Sequence, residues 1–359
     1  MRPPQRIFVC HLLNDRSGSP KVLSQLVRSW ALEGRWEIHV CTNSGTNGFL
    51  SGIPGVIYHH AWYQFRSNPW LRLVFYAISQ SMLLLMLLFK LQKNDLVYVN
   101  TVLPFGAALA GKIKGCRVIY HVHESTIQPR ILKWFLQRVI RLSAAEIVYV
   151  SRYVQAAHGL TQVPGRVVYN ALESSFLQAA SGKNRSEEPT RVLMVCSLKK
   201  YKGVWEFVQL AGDHPGYQFR LVLNATEAEM AAFFGSRQLP ANLILFSAQK
   251  NIHPFYQWAD VVVNLSLPDG WVETFGLTII EGMAYGLPAI VPPVGGILEV
   301  IEEGVTGLVA DARNRQQLNE AIGQIMQNKH QYERMSQAAK ARTALFEEAT
   351  MCRDISSLL

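Results

Sequence analysis

At 359 residues, 49% hydrophobic and 17% charged, the chain has the length for two domains with substantial cores and an ordinary globular composition. Its net charge of +9 is unevenly held: residues 1–170 carry 19 Lys and Arg against 6 Asp and Glu, residues 171–359 carry 16 against 20. A basic half addresses nucleic acid, an anionic membrane or a phosphorylated ligand, and with no zinc-finger or RRM motif present, no nucleic-acid partner is expected.

The opening MRPPQRIFVCHLL is basic and then briefly apolar. It lacks the long apolar core and small-residue cleavage site of a signal peptide, and reads as a first strand, Arg6–Leu13. A loop, NDRSGSP, follows, with Gly18 placed where backbone can approach a phosphate. A helix over Ser19–Glu33, a strand over Trp36–Thr42 and another over Gly55–His59 come next. The long segment Pro69–Gln92 holds an unbroken apolar run from Met82 to Phe89, bounded by Lys90. It falls short of the roughly twenty apolar residues of a bilayer span. Two readings stay open for it: a buried helix covering a sheet, or an interfacial helix helped by Arg66, Arg72, Lys90 and Lys93.

Strands at Asp95–Asn100, Arg117–Val122, Glu146–Val150 and Arg166–Tyr169 alternate with helices at Pro104–Lys114 and Pro129–Ser143. This alternation predicts an α/β fold with a parallel, doubly wound sheet, in which ligands bind beyond the carboxyl ends of the strands. One such end is HVHES, residues 121–125, with two histidines and Glu124. A polar stretch, Ser174–Glu188, reads as linker. The α/β rhythm then repeats, with strands at Arg191–Ser197, Gln218–Leu223 and Asn242–Phe246, and helices from Asn314 onward. Lys199, Lys200 and Lys202 sit at a strand–helix junction, where point charges beside helix N–H groups suit a diphosphate. Cys10, Cys41, Cys116, Cys196 and Cys352 are odd in number and scattered, with no CxxC pair. That pattern argues for reduced thiols in a cytoplasmic protein, and against a zinc site.

The most informative stretch is DGWVETFGLTIIEGMAYGLPAIVPPVGGILEVIEEGVTGLVAD, from Asp269. Apolar residues at helical spacing and the Gly286–Pro288 stop predict a helix from about Phe275 to Tyr285. Glu273 then stands before the helix N-terminus and Glu281 about two turns in. A helix N-terminus attracts an anion, and a carboxylate on either side matches a molecule with hydroxyls, an anionic middle and hydroxyls again.

Glu273-x7-Glu281, with FGL after the first glutamate, GMAYGLP after the second and then VGGILEVIEEGVTGLV, resembles the signature of the group 1, or family-four, retaining glycosyltransferases. The resemblance implies the GT-B fold: two doubly wound Rossmann-like domains facing an interdomain cleft. It divides the chain into an acceptor-binding, membrane-facing domain over 1–170, a linker over 171–188, a nucleotide-sugar domain over 189–345 and a last helix over 346–359 that packs back on the first domain. It implies a sugar moved from a nucleotide-sugar to an acceptor hydroxyl, with His123 and Glu273 catalytic. Gly18, Lys199, Lys200, Lys202, Phe275, Gly276, Leu277 and Glu281 would hold the donor, with Glu281 on the ribose. The matching family loop has two adjacent glycines where only Gly18 stands here, and an arginine where this chain has Ser197. No Asp-x-Asp cluster suggests a metal, and no cofactor is expected beyond the nucleotide-sugar, which is a substrate. The basic, apolar first half adds a lipid-linked saccharide acceptor and an anionic membrane surface as partners, at the inner face of the cell membrane. An epimerase or phosphorylase on the same fold, or a non-catalytic nucleotide-sugar-binding subunit, are the alternatives.

Overall fold

Runs such as RIFVC, LVYVN and RVLMVC are apolar at nearly every position rather than at every second one, as expected of strands buried on both faces of a parallel sheet. In the computed structural model they are such strands. The structure describes residues 5–43, 48–180 and 188–359. These fall into two compact units: one runs to Asn170 and is joined by Ala349–Leu359, and the other is Ala171–Glu348.

The first unit is built from β1 (Gln5–Cys10), α1 (Gly18–Glu33), β2 (Trp36–Thr42), β3 (Val56–His60), α2 (Pro69–Lys90), β4 (Leu96–Asn100), α3 (Phe105–Lys114), β5 (Arg117–Val122), α4 (Arg130–Ser143), β6 (Glu146–Tyr149), α5 (Arg152–His158) and β7 (Gly165–Val167). Its seven strands lie in the order β3-β2-β1-β4-β5-β6-β7, all pairs parallel. The order reverses between β1 and β4, whose carboxyl ends flank the switch point where doubly wound sheets bind ligands. On one face Phe8, Val97, Val99, Val118 and Tyr120 pack against Leu83 and Leu87 of α2 and Ala107 of α3.

The second unit holds α6 (Ser174–Ala179), β8 (Arg191–Ser197), α7 (Val204–Asp213), β9 (Gln218–Asn224), α8 (Glu227–Phe234), β10 (Leu243–Phe246), α9 (His253–Trp258), β11 (Val261–Val263), α10 (Leu277–Ala284), β12 (Ala289–Val291), β13 (Gly307–Val309), α11 (Arg315–Met326) and α12 (Lys329–Arg342). Its strand order is β10-β9-β8-β11-β12-β13, so the switch point lies between β8 and β11. A final helix, α13 (Glu348–Ser356), carries the chain back to the first unit. There Ser356 Oγ accepts from the indole of the fully buried Trp30 at 3.0 Å.

Three local differences from the sequence expectations have physical reasons. The stretch expected to be linker begins with a helix, α6, belonging to the second unit. Phe176 anchors it by packing on His253, Tyr256 and Tyr285, and the Ser174 amide and hydroxyl donate to Glu348 Oε2 at 2.9 and 3.1 Å. Residues 181–187 lie outside the described residues. Helix α5, unforeseen, is capped by the Ser151 hydroxyl accepting from Val154 N at 3.2 Å, and ends on a left-handed Gly159. Helix α2 covers the sheet with Leu83 and Leu87 and lays Gln80 on α3, but leaves a second apolar side exposed to solvent. It is therefore a cover helix on one side only.

Candidate active site

Residues at the switch point of the second unit converge on one ion pair. After β8, a 3-10 turn at Lys200–Lys202 ends on Gly203, whose φ of 76° is left-handed. A Cβ there would stand 2.1 Å from the carbonyl oxygen of Leu265, the loop that follows β11. Only glycine lets these two loops close so tightly. The closure brings Lys202 Nζ to 2.7 Å from Glu273 Oε2, with both side chains largely buried. Asn264 donates to the same oxygen at 3.5 Å. The Lys202 ammonium also lies 5.1 Å from the ring of Trp271, which stacks on Tyr201. Glu273 is held by a parallel bridge to Gly295, where φ is 119° and a Cβ would collide with the Glu273 carbonyl. The neighbouring Cys196 thiol is pushed up to about 12, chiefly by burial. That shift disfavours the thiolate.

Helix α10 is shorter than its periodicity predicted, starting at Leu277 after a left-handed Gly276. Its first amides have no intrahelical acceptor and no capping side chain covers them. Phe275 precedes the helix and is buried edge-on against Phe346. Of the FGL triad, Phe275 therefore serves the core, while Gly276 and Leu277 place free backbone amides at the start of the helix. Glu281 lies just over one turn in, not two, and is only 6% exposed. It accepts from Tyr256 OH at 2.7 Å. Burial and the Glu281 charge hold that phenol well above its ordinary value, so it remains a donor. Lys199 and Lys200, by contrast, are exposed. Of the three lysines, Lys202 is the one brought to Glu273. Tyr256, Asn264 and Trp271 were missed from sequence because nothing in their spacing marks them.

The first unit has its own polar cluster at the β1/β4 switch point. Asn100, the last residue of β4, is fully buried. Its Oδ1 lies 3.0 Å from His123 Nε2, and its Nδ2 lies 3.1 Å from His11 Nδ1 and 3.4 Å from the Ser19 carbonyl. An amide oxygen can only accept, so His123 carries its proton on Nε2 and turns a lone pair at Nδ1 outward from that bond. Burial, with His121 and His11 nearby, holds His123 well below the usual histidine range. The imidazole is neutral and in one tautomer. His121, within β5, is bound by Tyr98 OH at 2.9 Å and is depressed to about 3 by burial. Glu124 accepts from Val102 N at 3.3 Å, so it braces the β4–α3 turn, and Asn100 is the group that orients the imidazole. Burial raises the Glu124 carboxyl to about 7. In that turn Thr101 adopts a left-handed φ of 71°, an uncommon strain for a β-branched residue. Gly18 is the first residue of α1. Among the described residues no group of three His, Cys, Asp or Glu is placed to hold a metal.

The model of the glycosyl transferases group 1 matches residues 178–342, and that of glycosyltransferase family 4 matches residues 16–176. Sucrose-phosphate synthase 4 of Arabidopsis thaliana is 32% identical over 82 residues, 23% of this chain; the match spans only 8% of that relative's length. An uncharacterized 41.2 kDa protein in the cps region of Klebsiella pneumoniae is 24% identical over 269 residues, covering 66% of this chain and 70% of its own. Among solved structures, Anabaena Alr3699/HepE in complex with UDP superposes with a TM-score of 0.78 at 17% identity, over 99% of both chains. With two family models that together take in most of its length, the chain belongs to the group 1, family-four glycosyltransferases, and its two parallel α/β sheets are those of the GT-B fold.

Proposed function

We propose that the protein moves a sugar from a nucleoside-diphosphate sugar to a hydroxyl of a lipid-linked saccharide, retaining the anomeric configuration. The observation that carries this is the Lys202–Glu273 pair at the mouth of α10. A departing diphosphate gathers charge as the glycosidic bond breaks. Preorganised donors where that charge appears lower the barrier. Lys202 has donors beyond the one given to Glu273, and the α10 amides supply the rest, with Lys199 and Lys200 adding exposed positive charge on the same turn. Glu273, alongside, accepts from hydroxyls of the transferred sugar. Glu281, fixed by Tyr256, accepts from the ribose. In the first unit His123 offers Nδ1 as an acceptor for a hydroxyl.

Retention through a covalent enzyme intermediate needs two carboxyls flanking the bond, about 5 Å apart. Glu281 is buried and tied to Tyr256, which unfits it for that role. Attack on the face the diphosphate leaves is the alternative: the acceptor oxygen bonds to the anomeric carbon, the carbon–oxygen bond to phosphate breaks, and a phosphate oxygen takes the hydroxyl proton. The UDP bound by HepE and the cps-region setting of the Klebsiella relative support a UDP-sugar donor and a surface-polysaccharide acceptor.

The test is nucleoside-diphosphate release from a panel of nucleotide-sugars, UDP-sugars first, with and without a lipid-saccharide extract. Acceptor-stimulated release is expected, and Glu273→Ala should lower it by about a hundredfold or more without lowering the unfolding midpoint. Donor binding with no turnover in any mixture would instead favour a non-catalytic binding subunit.

A further inference from the structure

Helices α2, α3 and α4 pack side by side on one face of the first unit's sheet. Together they hold eight cationic side chains, Arg72, Lys90, Lys112, Lys114, Arg130, Lys133, Arg138 and Arg141, and not one Asp or Glu. Their outward surface is apolar as well. Along α2 the exposed residues Trp70, Val74, Ile78, Met82, Leu85 and Phe89 recur at three or four positions, one continuous stripe over roughly 30 Å. Phe89 is 89% exposed and Trp70 79%. Helix α4 adds Ile131, Trp134 and Leu142, all exposed, interleaved with its four cations. Arg138 stacks over Trp134 at 5.5 Å, and Arg66, just before α2, stacks over Phe75 at 4.7 Å.

We propose that this three-helix layer is a docking face for an anionic lipid bilayer, with α2 lying in the plane of the interface. Against the expectation from its short unbroken apolar run, helix α2 as a whole is long and apolar enough to cross a membrane by length and composition, but its inner side is committed to the protein. Tyr76, Ser79, Gln80, Leu83 and Leu87 are buried there. The Gln80 side chain accepts from Gly106 N at 3.2 Å, and a Cβ on Gly106 would stand 2.2 Å from the Gln80 backbone oxygen. Lifting α2 into a span would break this close packing and strip the sheet. Lying flat, it buries one apolar stripe among the acyl chains while the cations meet phosphate headgroups and the tryptophans sit at the boundary. A second copy of the chain is disfavoured as occupant, because two acid-free, cationic faces repel each other. The proposal goes beyond the transfer reaction and does not rest on it.

Vesicle sedimentation tests it. The full chain should bind vesicles of phosphatidylcholine with 30% phosphatidylglycerol, bind phosphatidylcholine alone at least about tenfold more weakly, and release in 0.5 M salt. L85E/F89E and, separately, R138E/R141E should each weaken binding at least about tenfold. Both sets of side chains are exposed, so unfolding midpoints should stay within a degree or two; a neutral L85S/F89S pair covers any loss of folding. Absence of salt-sensitive binding, or equal binding by well-folded variants, would overturn the proposal. So would a dimer in sedimentation velocity that these substitutions dissociate.

Discussion

Asn100 reads as an unremarkable strand end, yet it sets the proton position on His123 while binding His11 from its other atom. Its removal should lower turnover by about a hundredfold. A structural role alone would leave the pH profile in place. Asn100→Asp puts a negative charge beside the imidazole, and should move the acid limb of kcat/KM upward by about one pH unit. Glu124 gives an independent titration. Burial raises it from 4.5 to about 7, so between those values the folded state holds a proton that the unfolded chain has lost. The stability this confers is full below 4.5 and disappears as pH rises through 7. Glu124→Gln should therefore gain on the parent protein by about 1–2 kcal/mol between pH 5 and 8, read as the shift in urea midpoint. His11, depressed from 6.5 to about 4 by burial, works in the opposite sense: its contribution is lost as pH falls from 6.5 through 4. In the second unit, Tyr256→Phe leaves a buried Glu281 oxygen without its donor. It should cost about 1–3 kcal/mol of stability and weaken nucleotide binding, measured by calorimetry.

At the scale of elements, the glycines that join loops are the sharpest determinants. Gly203→Ala forces a Cβ against the Leu265 carbonyl at a left-handed φ. It should cost upward of about 2 kcal/mol and displace Lys202 from Glu273, so activity falls even in the folded fraction. Much of this architecture was legible beforehand: continuous apolar strands alternating with periodic helices dictate parallel sheets, and the E-x7-E stretch lands at a switch point. What stayed illegible has specific causes. Helix α2 is apolar on both sides, so its periodicity could not say which stripe faces inward; the burial of Leu83 and Leu87 and the Gln80–Gly106 bond to α3 decide it. Helix α6 hides in a polar sequence because a single phenylalanine fixes it. The pairing of Lys202 with Glu273 joins residues 71 apart, across two loops, and no local pattern encodes it. Asn100 and Tyr256 escaped for the same reason.

For the molecule as a whole, charge and chain path divide differently. The positive excess belongs to residues 1–170, while Glu273, Glu281 and Lys202 belong to the second unit. Salt should accordingly weaken vesicle binding far more than binding of a nucleoside diphosphate in its buried setting. The first unit also depends on Ala349–Leu359, since Met351, Cys352, Ile355 and Leu358 are buried and Ser356 satisfies the Trp30 indole. Ending the chain at Glu348 would uncover Trp30 and cost several kcal/mol, roughly the burial of three or four large side chains. A fall in the unfolding midpoint confined to the first unit, followed by hydrogen exchange at Trp30 and Tyr98, would register it. During synthesis the same dependence imposes an order. Residues 1–170 are made before Ala349–Leu359, so their tryptophan socket stays open until that segment has been translated. The second unit, by contrast, is already complete at Glu348. Of the two units, the one begun earlier is then the later to finish folding.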